Sequence, residues 1–495
     1  MIPRPRLILT AVAVLSLAAL PLSAPAQVVT KPSQAGPVPP KTWVDKDTGH
    51  RVWRVSDEPN SGAFYFNVNA FTPDHKQMVY NSPGGIRVLD LATMTTRMLV
   101  PNPPPPANAD ASPRARFGLA ARAIVVGFKT NSVFFTRMDP QTHISAVYKA
   151  DTNTGEIRKL TDLPPRVSIS SVNADETLGA GTYNESDAPG SNAAPPPAAE
   201  FPQQPPATNP AVQGELVQSD QKGQMMERRL AAHIPVVLFT IRLEPGPNGE
   251  KPGTIKELLH STDWINHLLF SPTDPGLLMY CHEGIWQKVD RIWTIRTDGT
   301  QNILMHKRTM LMEIAGHEFW GLDGKTIWYD WQYPKGEDFF LASYDLVTHK
   351  RTAYHMQRNE WSIHFNLTQD LDIFCGDGGD SGQVARAPDG EWIMLFHPHM
   401  LGGTEGALND PGFWQPGVFE SEHLVNMAHQ NYRGEPNVRL SPDKKLVFFT
   451  SNMFGPSYVF AVEVAKAVNA TDVESTPDLG IKYNPIMPTP TTTPK

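Results

Sequence analysis

A short pattern recurs along most of this chain: an apolar or aromatic residue, a turn built on Pro-Asp or a related pair, and then a β-rich run. It occurs at FTPDHKQMVY (71–80), VNADETLGAG (172–181), FSPTDPGLLMY (270–280), WGLDGKTIWY (320–329), LTQDLDIFCG (367–376) and LSPDKKLVFF (440–449). Repeats of roughly 40–50 residues with about four short strands each are typical of β-propellers. With a weaker unit near 115–163, the pattern predicts an all-β, seven-bladed β-propeller with Pro-rich surface insertions. Helical repeats are less favoured because helix-period patterns are sparse here.

The two ends of the repeat array indicate how it closes. The last unit, 436–465, is one strand short, while residues 50–56 (HRVWRVS) read as a strand ahead of the first turn. Pairing that early strand with the last unit would remove exposed strand edges. We therefore predict that the propeller domain spans residues 44–466, with an insertion at 186–232.

Other segments are predicted to lie outside the repeat. Residues 1–26 place Arg4 and Arg6 before an apolar run and end in Ala24-Pro25-Ala26, a pattern typical of a cleaved secretory signal. Residues 27–43 are predicted to be a linker and 467–495 a tail, and a short amphipathic helix is expected at roughly 214–232. The protein is thus expected to be periplasmic or secreted, without a membrane span.

Charge and cysteine content narrow the possible functions. The chain has 43 Lys and Arg against 51 Asp and Glu, a formal net charge of −8, and no run of five basic residues, which argues against nucleic-acid binding. Its two cysteines, Cys281 and Cys375, exclude a disulfide scaffold, although one bridge between them stays possible. The HExxH, GxSxG, P-loop and GxGxxG patterns are missing from the sequence.

The repeat also supplies a register. Five residues before the Pro of a turn, or its equivalent, stand four polar residues: His267, His317, His364 and Asn437. The strand before each turn should be the innermost of its blade, so these side chains are predicted to converge at one mouth of the central channel. One histidine alone would more often be structural, but converging polar groups indicate a site.

Residue chemistry suggests roles for this group and its neighbours. A neutral His317 can act as a base, and Arg291 can bind a carboxylate or a developing oxyanion unless it is simply an exposed strand arginine. A nitrogen-and-oxygen metal set suited to manganese is offered by His364, His429, Glu435 and Asn437. Further candidates for substrate binding are His267, His282 and Arg433.

Several motifs together resemble the oligogalacturonate lyases over most of residues 44–465. They include TGHRVWRVSD, YFNVNAFTPD, the HEFW around His317, the DRIW around Arg291, RNEWSIHFN and FCGDGGD. The resemblance implies a seven-bladed propeller that cleaves short pectin fragments by β-elimination, with a histidine base, an arginine and a manganese ion near the substrate. By motif, these residues would be His317 as the base, Arg291 as the arginine and His364 as one metal ligand.

The chain departs from that family at its metal segment. Family members have a Gln-x-x-His-Pro-His segment just before the last Pro-Asp turn, and in this chain Glu435-Pro436-Asn437 occupies its His-Pro-His part. Oxygen ligands in place of two imidazoles favour manganese, or else calcium, over softer ions.

The expected partner is an oligogalacturonide or a related uronide. The alternatives are a non-catalytic, periplasmic TolB-like binding propeller and a lyase acting on another uronic-acid oligosaccharide.

Overall fold

A computed structural model describes residues 38–103, 119–139, 142, 144–187, 221–380, 389–402 and 413–467. The predicted signal, most of the linker and nearly all of the tail lie outside these residues, so those predictions stay predictions. Within the described residues, strands predominate and one α-helix longer than two turns is present. The all-β prediction is confirmed.

The chain enters the fold through an antiparallel pair, β1 (Thr42–Val44) and β2 (His50–Arg54). Three small antiparallel sheets follow. The first contains β3 (Gln77–Ser82), β4 (Gly85–Asp90) and β5 (Thr95–Pro101). The second contains β6 (Arg122–Val126), β7 (Ser132–Met138), β8 (Ser145–Asp151) and β9 (Ile157–Asp162). The third contains β10 (Ser168–Val172), β11 (Leu178–Asn184), β12 (Val236–Arg242) and β13 (Ile255–Ser261).

Helix α1 (Gln221–Ala232) lies between β11 and β12 in the chain and falls inside the predicted helical segment. Short 3₁₀ turns occur at Glu185–Asp187, Trp286–Lys288 and Arg358–Glu360. No helix in the described part of the chain is both long and apolar enough to cross a membrane.

The next sheet contains β14 (Trp264–Phe270), β15 (Leu277–Glu283), β16 (Ile292–Arg296) and β17 (Ile303–Leu304). An eight-stranded sheet follows. Its strands are β18 (Ile314–Trp320), β19 (Thr326–Gln332), β20 (Phe339–Asp345), β21 (Arg351–His355), β22 (His364–Leu367), β23 (Phe374–Asp377), β24 (Trp392–Met400) and β25 (Trp414–Asn426). Two four-stranded halves meet in this sheet, because β21 and β25 pair in parallel.

The last strands complete a sheet that β1 and β2 begin. They are β26 (Arg439–Leu440), β27 (Leu446–Ser451) and β28 (Tyr458–Lys466). Strand β2 pairs with β28, with Val52 opposite Val462 and Arg54 opposite Phe460. The predicted pairing of the early strand with the last unit is therefore confirmed.

The recurring turns explain why the strands end where they do. Asp90 accepts the backbone N–H groups of Ala92 and Thr93, and Asp151 does the same for Asn153 and Thr154. A side chain that bonds its own backbone two or three residues ahead favours a turn over a continued strand. This local chemistry produces the repeated strand–turn–strand units that the sequence pattern predicted.

Apolar side chains pack into clusters between neighbouring sheets. One cluster joins Val79 and Val88 of the β3–β5 sheet to Phe135 of the next sheet and Val459 of β28. Cys281 and Cys375 are both buried and free, so the bridge left open by the sequence is not formed. Small antiparallel sheets with shared cores are compatible with a β-propeller.

Candidate active site

The repeat position five residues before each turn has an unusual backbone. His267, His317 and Asn437 adopt φ values of 47°, 45° and 56°. Such values are uncommon for residues other than glycine and mark places where the surrounding fold imposes the conformation. The strand ladders shift register at His267 and at His317, as in a β-bulge that redirects a side chain. His364 differs, because it begins a regular strand opposite Asp377.

The three histidines of that position gather around two aromatic rings. The rings of His317 and His364 are 4.9 Å apart between centroids. Phe66 stacks on His364 at 4.5 Å, and Tyr65 lies 5.2 Å from His364 and 5.7 Å from His267. The predicted convergence is confirmed for these imidazoles.

Tyr65 and Phe66 are site residues that the sequence analysis did not single out. The buried guanidinium of Arg439 donates to the carbonyls of Phe64, Tyr65 and Val68 and holds this segment in place. Asn67 donates to the carbonyl of Glu318. The motif YFNVNAFTPD contained a signal, since it places adjacent aromatic residues just ahead of a repeat turn.

His317 lies beside a buried carboxylate. Its Nδ1 is 3.2 Å from Oδ1 of Asp330, whose side chain is fully buried, but the two atoms do not have the geometry of a hydrogen bond. Asp330 stands opposite Gly316 in the β18–β19 ladder, and the ring of Trp286 meets His317 edge-on at 4.8 Å. A carboxylate at Nδ1 favours the tautomer that leaves Nε2 as the proton acceptor. This arrangement suits a general base.

Arg291 is buried between two carboxylates and is not an exposed strand arginine. Its Nη1 donates to Oε1 of Glu283 at 2.6 Å, and Nη2 is 3.8 Å from Oε2 of Glu318. Burial opposes the charge, but the carboxylates of Glu318 and Glu283 raise the pKa of Arg291 above its ordinary value. Its guanidinium also covers the Trp286 ring at 4.6 Å. The protein itself thus offsets most of this positive charge.

Glu283 links Arg291 to the first repeat histidine. Its Oε2 lies 3.2 Å from Nε2 of His267. Burial alone would raise the pKa of Glu283. His267 and Arg291 lower it by more than burial raises it, so the net pKa is below the ordinary value and the carboxyl stays ionised. His267 therefore belongs to the same polar group as Arg291.

His364 has the arrangement of a metal ligand. Its Nδ1 is 2.8 Å from Oδ2 of Asp377, while its buried Nε2 has no hydrogen-bond partner among the described residues. Oε2 of Glu435 lies 3.7 Å from that Nε2. A histidine held by a carboxylate through one nitrogen and open at the other is the usual geometry of a metal-ligating imidazole.

The predicted four-residue metal set is nevertheless not assembled. The side-chain amide of Asn437 accepts a hydrogen bond from the Phe66 N–H and donates one to the Glu435 carbonyl. Its oxygen and its nitrogen are thus both bonded to backbone groups. His429 is exposed, whereas His364 is fully buried. Within the described ranges, no group of three or more His, Cys, Asp or Glu could hold a metal. Of the predicted set, Nε2 of His364 and Oε2 of Glu435 are the two donor atoms that lie near each other.

Two other predicted residues lie apart from this group. His282 is on the face of β15 opposite Glu283, and with Tyr280 and Trp293 it lines a cavity of about 90 Å³. Its Nε2 is 3.5 Å from Oδ1 of Asp263, and burial lowers its pKa. Arg433 is exposed on a loop. Their predicted part in substrate binding stays a prediction.

The small β-sheets thus bring together a histidine beside a buried carboxylate, a buried arginine paired with a glutamate, and a second histidine with one open nitrogen. Residues 248–468, a little under half of the chain, match the family model described as oligogalacturonate lyase. The segment contains His267, Arg291, His317, His364 and Glu435, whereas Tyr65 and Phe66 precede it. The resemblance predicted from the motifs is confirmed.

Two curated relatives are similar to this chain in sequence. The chain is 26% identical over 222 residues to an oligogalacturonide lyase of Pectobacterium atrosepticum and 27% identical over 227 residues to an oligogalacturonate lyase of Dickeya dadantii. Each match covers 44% of this chain and 54% of the relative. The chain thus spans about half the length of the curated relatives it matches.

Solved structures extend the similarity in fold to most of the chain. An oligogalacturonate lyase in complex with manganese has a TM-score of 0.60 at 19% identity, covering 86% of this chain and 96% of that one. An oligogalacturonate lyase from Vibrio parahaemolyticus also has a TM-score of 0.60, at 16% identity and the same coverage. At these identities the shared property is the fold.

Proposed function

We propose that this protein is an oligogalacturonate lyase that cleaves short pectin-derived uronides by β-elimination. The observation that carries the proposal is the position of His317, between the buried carboxylate of Asp330 and the imidazole of His364. The base, Arg291 and His364 all fall in the segment that matches the family. The products would be an unsaturated uronide, or its 4-deoxy form, and the shortened oligomer.

The reaction needs one proton acceptor and a stabilised carboxylate. Nε2 of His317 removes the proton at C5, and the electron pair left on C5 forms the C4–C5 double bond as the C4–O4 bond breaks. O4 leaves with the electron pair of that bond and takes a proton from water, which gives the hydroxyl group of the shortened oligomer. Asp330 stabilises the imidazolium that forms, since a carboxylate at Nδ1 favours the protonated ring. By its family motif, Arg291 would add positive charge near the uronate, but Glu283 and Glu318 offset most of that charge.

The charges of the site support the participation of a cation. Glu283, Glu318, Asp330, Asp377 and Glu435 stand near the histidines, and Arg291 is already offset by two of them. An anionic substrate would be repelled by this group without added positive charge. We propose that His364 and Glu435 hold a divalent cation, manganese or else calcium. When bound, the ion would neutralise the uronate carboxylate and make the C5 proton more acidic.

We also propose that the sheets are the blades of a seven-bladed propeller within residues 44–466. The eight-stranded sheet then counts as two blades that touch along β21 and β25, and the other five sheets count as one blade each. The amino-terminal pattern in residues 1–26 supports export to the periplasm or the medium.

Incubation of the purified protein with oligogalacturonides and manganese tests the reaction. The conjugated product should raise the ultraviolet absorbance, and His317→Ala should abolish the rise while the variant keeps its thermal midpoint. Other uronic-acid oligosaccharides, assayed in parallel, test the alternative substrate class. Binding of oligogalacturonide without any rise in absorbance would instead support the non-catalytic TolB-like alternative.

A further inference from the structure

Helix α1 lies beside the candidate active site although it follows the Pro-rich insertion. Its Glu227 pairs with Lys288 at 2.5 Å, in the 3₁₀ turn that also carries Trp286. Trp286 in turn contacts His317 and Arg291. On the same helix, Met226 is buried and the guanidinium of Arg229 lies 4.6 Å from the Trp264 ring. The helix therefore bridges two elements of the site.

Trp264 connects this helix to the first repeat histidine. It begins β14, the strand in which His267 follows three residues later, and it stands opposite Glu283 in the β14–β15 ladder. Glu283 is the carboxylate that contacts both His267 and Arg291. Arg229 thus lies at the edge of the same polar group, on the Trp264 side.

Among the described residues, no carboxylate pairs with Arg229, which distinguishes it from the arginines around it. Its side chain is partly buried, and among the described residues its Nε has no hydrogen-bond partner. Burial lowers the pKa of Arg229, and no carboxylate among the described residues raises it again. By contrast, Arg291 pairs with Glu283, Arg296 with Asp274 and Arg308 with Asp290.

A guanidinium that is partly removed from water without an anion is costly, and a bound anion would relieve that cost. The guanidinium lies over the ring of Trp264, and a planar guanidinium can bind a carboxylate through two parallel hydrogen bonds. An oligogalacturonide carries one carboxylate on each sugar unit. The centre itself is acidic, so the carboxylate of a neighbouring unit needs a separate cation.

We propose that Arg229 binds the carboxylate of a uronate unit adjacent to the unit that His317 deprotonates. The proposal rests on the proposed function, because it assigns a subsite for the same anionic oligosaccharide. It gives the helix that follows the insertion a role in substrate binding. The contact is with a unit that does not react, so it contributes to affinity and little to turnover.

Binding measured by calorimetry tests the subsite in the presence of manganese. Trigalacturonate and its fully methyl-esterified form are titrated into the His317→Ala protein, which leaves the oligomer intact. Adding Arg229→Gln should weaken trigalacturonate binding roughly 10- to 100-fold, because it removes a charge-assisted contact. Binding of the ester should change less than about twofold.

Arg228→Gln is the matched control, since Arg228 is the exposed neighbour on the same helix and the charge change is identical. It should leave both affinities unchanged. Equal loss for the acid and the ester, equal loss in both variants, or no trigalacturonate binding at all would overturn the proposal. If the wild-type protein binds the oligomer through Arg229 but does not cleave it, the proposed reaction fails and the subsite stands.

Discussion

His317 and Asp330 form the pair on which proton transfer would depend. The carboxylate lies 3.2 Å from Nδ1 and is fully buried, whereas the imidazole keeps about a tenth of its surface exposed. A buried carboxylate at this distance favours one orientation and one tautomer of a base through its charge, without contacting the substrate. Asp330 is therefore a positioning residue.

We expect Asp330→Asn to lower kcat about 10- to 100-fold with little change in KM, because the substrate contacts remain while the base loses its orienting charge. Steady-state kinetics with oligogalacturonide and manganese measure both constants. Asp338→Asn is the control, since that carboxylate is exposed at the neighbouring hairpin. An unchanged kcat in a folded Asp330→Asn protein would remove Asp330 from the mechanism.

The contribution of Glu435 to metal binding can be tested separately from that of His364. It faces the open nitrogen of His364, so Glu435→Gln should weaken manganese affinity by at least about tenfold while trigalacturonate binding to metal-free protein changes little. Calorimetric titration with manganese chloride measures the first quantity. Glu420→Gln, at an exposed glutamate, should leave it unchanged. Equal manganese affinity in both variants would place the ion elsewhere.

At the scale of elements, a buried carboxylate anchors the segment that enters β18. Glu313 accepts hydrogen bonds from His306 and Trp331 through Oε1 and from the Met310 N–H through Oε2. Burial acts to raise the pKa of Glu313, but the bonds from His306, Thr309 and Trp331 lower it to about 2. The anchor therefore needs an ionised carboxyl.

We expect Glu313→Gln to lower the free energy of unfolding by about 1–3 kcal/mol near neutral pH, since a charged hydrogen-bonded group is replaced by a neutral one. The folded-state pKa lies below the ordinary value near 4.5, so the stabilisation is present above that value and is lost as pH falls toward 2. Urea unfolding of wild type and variant across that range should show their difference shrinking. Glu337→Gln, an exposed change, should show no such trend. A difference independent of pH would contradict this account.

Two features of the elements could not be predicted from the repeat. A repeat register identifies equivalent positions, and it correctly grouped His267, His317 and His364. It does not show that the Asn437 amide is used by the backbone of Phe66, because that bond joins opposite ends of the chain. Nor does it predict the parallel contact of β21 with β25, since such a contact depends on how two neighbouring sheets meet.

At the scale of the whole molecule, the two ends of the chain depend on each other. The pairing of the first strand with the last sheet could be predicted from the sequence, because HRVWRVS reads as a β-strand and the last repeat unit is one strand short. The structure adds β1, which begins two residues before the predicted start of the domain and pairs with β2. Trp43 and Val52 are fully buried against residues of the last sheet, including Phe460 and Val462.

Removal of this amino-terminal pair should therefore destabilise the carboxyl-terminal sheet. A chain shortened to begin at Asp57 loses β1 and β2, so the edge of β28 and the apolar surface around Phe460 become exposed. We expect its thermal midpoint to fall by more than about 10 °C, because several large buried side chains are lost together. A chain that begins at Val38 keeps both strands and should melt like the full-length protein. Calorimetry measures the thermal midpoints of the two shortened proteins. Equal midpoints would mean that β1 and β2 add no stability to the carboxyl-terminal sheet.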